Sequence, residues 1–191
     1  MSHRLVVAAL LSLAAAAPAF AEPEAYDLDP THTYPSFEIN HLGFSVMRGT
    51  FKSTKGTLTL DNAAKKGSVE ATIDVASVDT GYGKRDEHLR SKDFFNAEQF
   101  PTMTFKSDSF NWDAKPTQVA GSLTLLGVTK PVTLSVEPTK CDMRIDKLYV
   151  CGAVVTTTIK RTDFGMKAYV PYISDDVKVQ IEVEAAKKKA G

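Results

Sequence analysis

The stretch VDTGYGKRDEHLRSKDFFNAEQFPTMTFKS, residues Val78 to Ser107, decides how this chain is read. It is the one convincing helical interruption in a sequence that otherwise runs strand after strand. Gly81 and Gly83 break the preceding strand. Lys84 to Ser91 then reads as a short polar helix, with Asp86 and Arg90 spaced i,i+4 for a modest ion pair. Leu89, Phe94 and Phe95 can turn inward, and Ser91 suits the cap of a second short turn. Pro101 pushes Phe100 into an extended conformation. From Thr102 to Ser107 the pattern alternates again, with Met103 and Phe105 on one face. The expectation is a helical excursion that covers one end of a β-barrel.

Upstream, Tyr26 and Leu28 alternate with Asp27 and Asp29 until Pro30 ends the strand. From Ser36 to His41, Phe37, Ile39 and His41 share one face and Ser36, Glu38 and Asn40 the other. Leu42 to Gly49 reads as a compact corner, and Thr50 to Asp61 as the returning strand. Phe51 and Leu58 have opposite parity there, which predicts a bulge or kink near Gly56. Ser68 to Ala76 is a half-buried strand, because Val69, Ala71, Ile73 and Val75 alternate with polar residues. Downstream, Thr102–Trp112 and Val119–Leu126 flank a turn, and Gly127–Lys130 is a second turn leading into Val132, Leu134 and Val136. Leu148–Lys160 and Val177–Val183 complete eight or nine strands. One-sided alternation in an all-β antiparallel chain leads to a sandwich or a closed barrel. An eight-stranded barrel either fills with side chains or holds one small ligand.

Arg4, the apolar run Leu5 to Ala17 and the small residues Ala19 and Ala21 form the pattern of a secretory signal. The run is too short for a spanning helix, and no later segment approaches one. The expected organisation is a signal peptide over 1–21 and one barrel domain over 22–191, in a periplasmic or secreted protein. Acidic and basic residues balance at 23 each, which argues against nucleic acid as a partner. Cys141 and Cys151 become opposing positions if a hairpin turns near Asp146, and an oxidising compartment favours a disulfide between them. A two-cysteine metal site has no flanking CxxC or His pair to support it. His32, His41 and His88 come from separate segments without compact ligand spacing, so no metal is expected. No Walker loop, GxGxxG run or GxSxG elbow points to a cofactor or a nucleophile.

Several separated motifs resemble one family. RDEHLRSKDFFNAEQFPTMTFKS (Arg85 to Ser107), His32, HLGFSVMRGTF (His41 to Phe51), GSLTLLGVTKPV (Gly121 to Val132), IKRTDFGM (Ile159 to Met166) and the SDDVKVQIEVEA tail closely resemble the YceI-like secreted polyisoprenoid-binding proteins. The resemblance covers nearly all of residues 22–191. It implies a lipocalin-like barrel whose interior holds an isoprenoid or other long-chain amphiphilic lipid, without catalysis. On the residues themselves, Phe37, Ile39, Phe51, Leu89, Phe94, Phe95 and Phe105 are the candidate cavity wall. His41 is a polar group on an apolar face, and Arg85 is a candidate for the ligand's head group, as is Arg161 for a charged one. Arg85 and Asp86, or Arg161 and Asp163, can equally form structural ion-pair networks. Two rivals stand beside lipid binding: a lipid-acting enzyme using His41 as acid–base, and a ligand-free envelope protein with a filled barrel. A homodimer is left open.

Edman sequencing of the exported protein should begin at Glu22. An intact Met1 on membrane-embedded mature protein would overturn the signal assignment.

Overall fold

The computed structural model describes residues 22–189, so the expected signal, Met1 to Ala21, lies outside the described residues. The described chain forms strands β1 (Glu24–Leu28), β2 (Tyr34–His41), β3 (Ser45–Phe51), β4 (Thr54–Asp61), β5 (Lys66–Asp74) and β6 (Val78–Asp79). Helix α1 (Gly83–Arg90) follows, then β7 (Thr102–Asn111), β8 (Thr117–Leu125), β9 (Val128–Met143), β10 (Tyr149–Lys160) and β11 (Ile173–Lys187). All pairings are antiparallel. The ring runs β1-β4-β5-β7-β8-β9-β10-β11, and β11 pairs back onto β1 to close an eight-stranded barrel. Closure joins the edges that an open sheet of this length would leave, although Ser45 to Gly49 of β3 pair only with β2 among the described residues.

The 15 residues of β11 serve two partners on one side. Ala185 to Lys187 pairs with β1, whereas Ile173 to Glu182 pairs with β2. Strands β1 and β2 therefore share one place in the wall, interrupted at Pro30. Likewise β4 pairs with β1 and β3 with β2. This interruption explains why the chain has more strand segments than barrel positions.

The structure corrects four local readings. The change of parity between Phe51 and Leu58 falls at Lys52 and Ser53, between strands, and not at Gly56. β4 and β5 pair in unbroken register from Thr54↔Ile73 to Asp61↔Lys66. Gly56 answers a different need: a Cβ there would collide with the Glu70 carbonyl and lie 2.8 Å from Leu28 Cδ1. The corner expected over Leu42–Gly49 is only Leu42 to Phe44, since Ser45 already pairs with His41. Leu126 (φ 53°) and Gly127 (φ 72°) form a two-residue hairpin turn, so Val128 to Lys130 belongs to β9. Finally, Asp86 does not pair with Arg90. It is buried and accepts from the Thr80 backbone N–H at 2.9 Å and the Thr80 hydroxyl at 2.5 Å. Those bonds tie α1 back to the segment leaving β6.

Two apolar clusters occupy the interior. Phe51, Val75, Val78, Met103, Leu125 and Phe164 form the larger, beneath the cover made by α1 and residues 91–101. Tyr26, Leu28 and Ala185 form a smaller one where β1 meets β11. On the outer surface, Arg144 in the β9–β10 turn donates to Asp29 at 2.8 Å, Glu184 at 2.7 Å and Asp146 at 2.8 Å. Burial alone would raise the Asp29 carboxyl, but hydrogen bonds from Thr31, Arg144 and His32 hold it below the usual range.

Cys141 and Cys151 are register partners across β9 and β10 and are joined by a disulfide. A crosslink closing ten residues is worth about 2–3 kcal/mol in the chain-entropy account. The double variant Cys141→Ser, Cys151→Ser should lose that much in urea unfolding. An unchanged midpoint would show that the bridge adds no stability.

Candidate functional site

Alternate residues of every ring strand point into the barrel and enclose a cavity of about 960 Å³. That lies at the upper end of the range of about 300–1,000 Å³ typical of ligand sites. Its wall is overwhelmingly aliphatic and aromatic. Leu134 and Val136 on β9, and Val179 and Ile181 on β11, face inward yet are only half-buried, because they look onto open space. The interior is filled beneath the cover, where Phe51, Val75, Val78, Met103, Leu125 and Phe164 pack, and is open further along the barrel, where inward residues of β4, β5, β9 and β11 are only half-buried.

Phe37, Ile39 and His41 line the cavity from β2, Phe51 from β3 and Phe105 from β7. Arg85 and Leu89 reach it from α1, and Phe94 and Phe95 from the segment that follows. Within this set, Phe51 is the hinge of the packing. Its ring lies 5.9 Å from Phe37 and 5.4 Å from Phe95, the latter edge-on. Gly49 is required opposite, since a Cβ there would collide with the Phe37 ring.

Polar groups gather at the covered end. Arg85 Nε donates to Thr80 Oγ1 at 2.7 Å and Nη2 to the Thr80 carbonyl at 2.8 Å, while its guanidinium sits 5.8 Å from the Tyr82 ring centre. Its Nη1 makes no hydrogen bond among the described residues. His88 lies 2.9 Å from Asp93, and its ring meets Phe94 and Tyr169 edge-on. The His41 ring has no hydrogen-bond or carboxylate partner among the described residues, so the acid–base pair needed for the enzymatic reading is not assembled. Arg161, 2% exposed, is committed to structure. It donates to the carbonyls of Ser174 at 2.9 Å, Ile173 at 3.0 Å and Met166 at 3.2 Å, fastening the loop from β10 to β11. Burial lowers its pKa against the opposing field of Asp175. Asp163 is exposed and takes no part.

Outside the cavity, Asp29, His32 and Glu184 approach one another as a cation site would. Arg144 already supplies the positive charge there, within 2.8 Å of both carboxylates.

Four of the cavity residues that sequence reasoning missed are instructive. Tyr169 and Tyr172 line the mouth from the loop before β11. Their signal was the aromatic pair in YVPY, in a connection with no period to place it. Thr54 and Trp112 also line the cavity, and the Thr54 hydroxyl and Trp112 indole N–H are buried without a hydrogen-bond partner among the described residues. Thr54 is in phase with Leu58 and Leu60, and Trp112 with Phe110, but both stand at the limits of their runs, and a threonine there carries no apolar signal.

Residues 26–185 match the model of the YceI-like domain. The chain belongs to the YceI-like family. Protein YceI of Escherichia coli is 40% identical over 169 residues, covering 85% of this chain and 86% of that protein. Among solved structures, a Campylobacter jejuni YceI protein superposes with a TM-score of 0.69 at 33% identity, covering 79% of this chain and 91% of the other. A polyisoprenoid binding domain from Saccharophagus degradans, implicated in plant cell wall breakdown, shares the fold at a TM-score of 0.62 and 20% identity, covering 86% and 99% of the two chains.

Ala153 faces the open side of the cavity from β10 and is half-buried. Ala153→Phe should reduce uptake of an apolar guest into the cavity, read by native mass spectrometry, with little change in melting. Overpacking a filled core costs about 1–3 kcal/mol, so a loss of that size would show that the space beside Ala153 is not open.

Proposed function

We propose that this protein is an exported binding protein that carries an amphiphilic isoprenoid lipid, such as a polyprenyl phosphate or a quinone-like lipid, inside its barrel. The observation that carries the reading is the apolar cavity of about 960 Å³ within a closed wall. A long hydrocarbon tail gains about 25 cal/mol for each Å² of apolar surface removed from water, and needs no precise polar recognition. The tail lies against Phe37, Ile39, Phe51, Leu89, Phe94, Phe95 and Phe105, and the head sits at the covered end near Arg85 and His41. The free Nη1 of Arg85 is suited to an acceptor oxygen on that head. The description of the Saccharophagus domain as polyisoprenoid binding supports the ligand class.

The rivals have less behind them. His41 lacks a carboxylate partner among the described residues, and an open bore does not suit a purely structural barrel. Export is favoured by the N-terminal pattern of Arg4 to Ala21 and by the Cys141–Cys151 bridge. No described helix is long and apolar enough to cross a membrane.

Organic extraction of the protein purified from its native compartment, followed by mass spectrometry, should release one isoprenoid lipid in near-stoichiometric amount. Protein that carries no lipid, and that binds none on titration with polyprenyl phosphate or a long-chain quinone, would refute the reading.

A further inference from the structure

Large apolar side chains are exposed around the cavity mouth, and three of them, Phe44, Val46 and Tyr82, lie outside the cavity wall. Phe44, at the tip of the β2–β3 turn, is 90% exposed, and Tyr172 is 70% exposed. Leu42, Val46, Tyr82 and Tyr169 are each about half exposed. The two principal loops are joined, because the Leu42 N–H donates to the Tyr172 carbonyl at 2.9 Å. Leu42, Tyr169 and Tyr172 line the cavity as well as the surface, so the apolar rim is continuous with the interior. Contiguous exposed apolar surface on a soluble domain marks an interaction site.

We infer that this rim is a membrane-docking surface, by which the barrel mouth presses into the interface of a lipid bilayer. The inference rests on the lipid-binding reading and names where the lipid comes from. An apolar tail passing from a bilayer to the cavity through water would expose its whole length, whereas a rim buried at the interface lets it pass between two apolar phases. Tyrosines suit the head-group level, and a fully exposed Phe suits insertion below it. The same loops and the cover carry Lys84, Arg85, Arg90, Lys92 and Lys167 without ion-pair partners among the described residues, against Asp86, Glu87, Glu98 and Asp163. That slight excess is too small to hold the protein by charge. Apolar insertion supplies the attachment, so attachment survives salt. The opposite end of the barrel also exposes Met143 and Ile145, which do not line the cavity, and Tyr149, which does but is the least exposed of the three at 37%.

Flotation of the purified protein with vesicles of phosphatidylethanolamine and phosphatidylglycerol tests this directly. The protein should float with the vesicles, and should still do so in about 0.5 M salt, where exposed charges are screened beyond a few ångströms. The variant Phe44→Asp, Val46→Asp, at two positions outside the cavity wall, should lower vesicle partitioning about tenfold or more. Its affinity for detergent-delivered polyprenyl phosphate should be unchanged, and Ile145→Asp should float as the parent does. Failure of the parent to float, equal flotation of the double variant, or a loss in Ile145→Asp instead would each overturn docking through the rim. So would a rim-dependent dimer by light scattering with no flotation. Flotation needs no bound lipid, so a protein that floats through its rim yet binds no isoprenoid would refute the function proposed above and leave the docking surface standing.

Discussion

The pairing of β11 with both β1 and β2 is the interaction on which the barrel depends. A sheet of this length with free edges would present unpaired N–H and C=O groups along both sides. β11 closes one of those edges in two steps, through Ala185 to Lys187 and then through Ile173 to Glu182. Because the wall is held by its own hydrogen-bond ladders, the interior need not be filled to keep the strands together. A sandwich of two sheets has no such freedom, since its layers meet only through the core.

The interior is accordingly divided. Beneath the cover, Phe51, Val75, Val78 and Met103 pack as an ordinary core, and Asp86 anchors α1 through the Thr80 backbone and hydroxyl. Away from the cover, on β4, β5, β9 and β11, the same kind of side chain is only half-buried and faces open space. The filled part fixes the cover and the mouth, and the open part leaves room for an apolar guest. Arg161 serves this division too: spending three donors on the carbonyls of its own loop, it keeps Tyr169 and Tyr172 at the rim without drawing a counter-charge into the barrel.

Much of this was legible in the sequence because strand parity is a local property. Phe37, Ile39 and His41 share a face in any straight strand, and the structure keeps them together on the cavity wall. The hairpin centred near Asp146 likewise brought Cys141 opposite Cys151. Parity failed where one ring position is built from two strands placed end to end. The break at Lys52 and Ser53 looks like continued strand, because nothing local distinguishes a kinked strand from two strands end to end. Asp86 was misread because a buried carboxylate with a backbone partner and an exposed one with an i,i+4 partner look alike in sequence. Tyr169 and Tyr172 lay in a loop, where position is set by tertiary fastening, here the Arg161 contacts, and not by any period.

The direct opposition of Cys141 and Cys151 has a consequence for how the sheet is assembled. Side chains alternate between the two faces of a strand, so a slip of one residue in the β9–β10 pairing would send one sulfur outward and the other inward. The register shifts once, just past the bridge, between Gly152 and Ala153, so the rest of β10 is aligned by counting from this point. In-register pairing is thus a geometric condition for the bridge to form. A hairpin counted correctly from its tip is sealed, and one that is out of step stays unsealed and free to pair again.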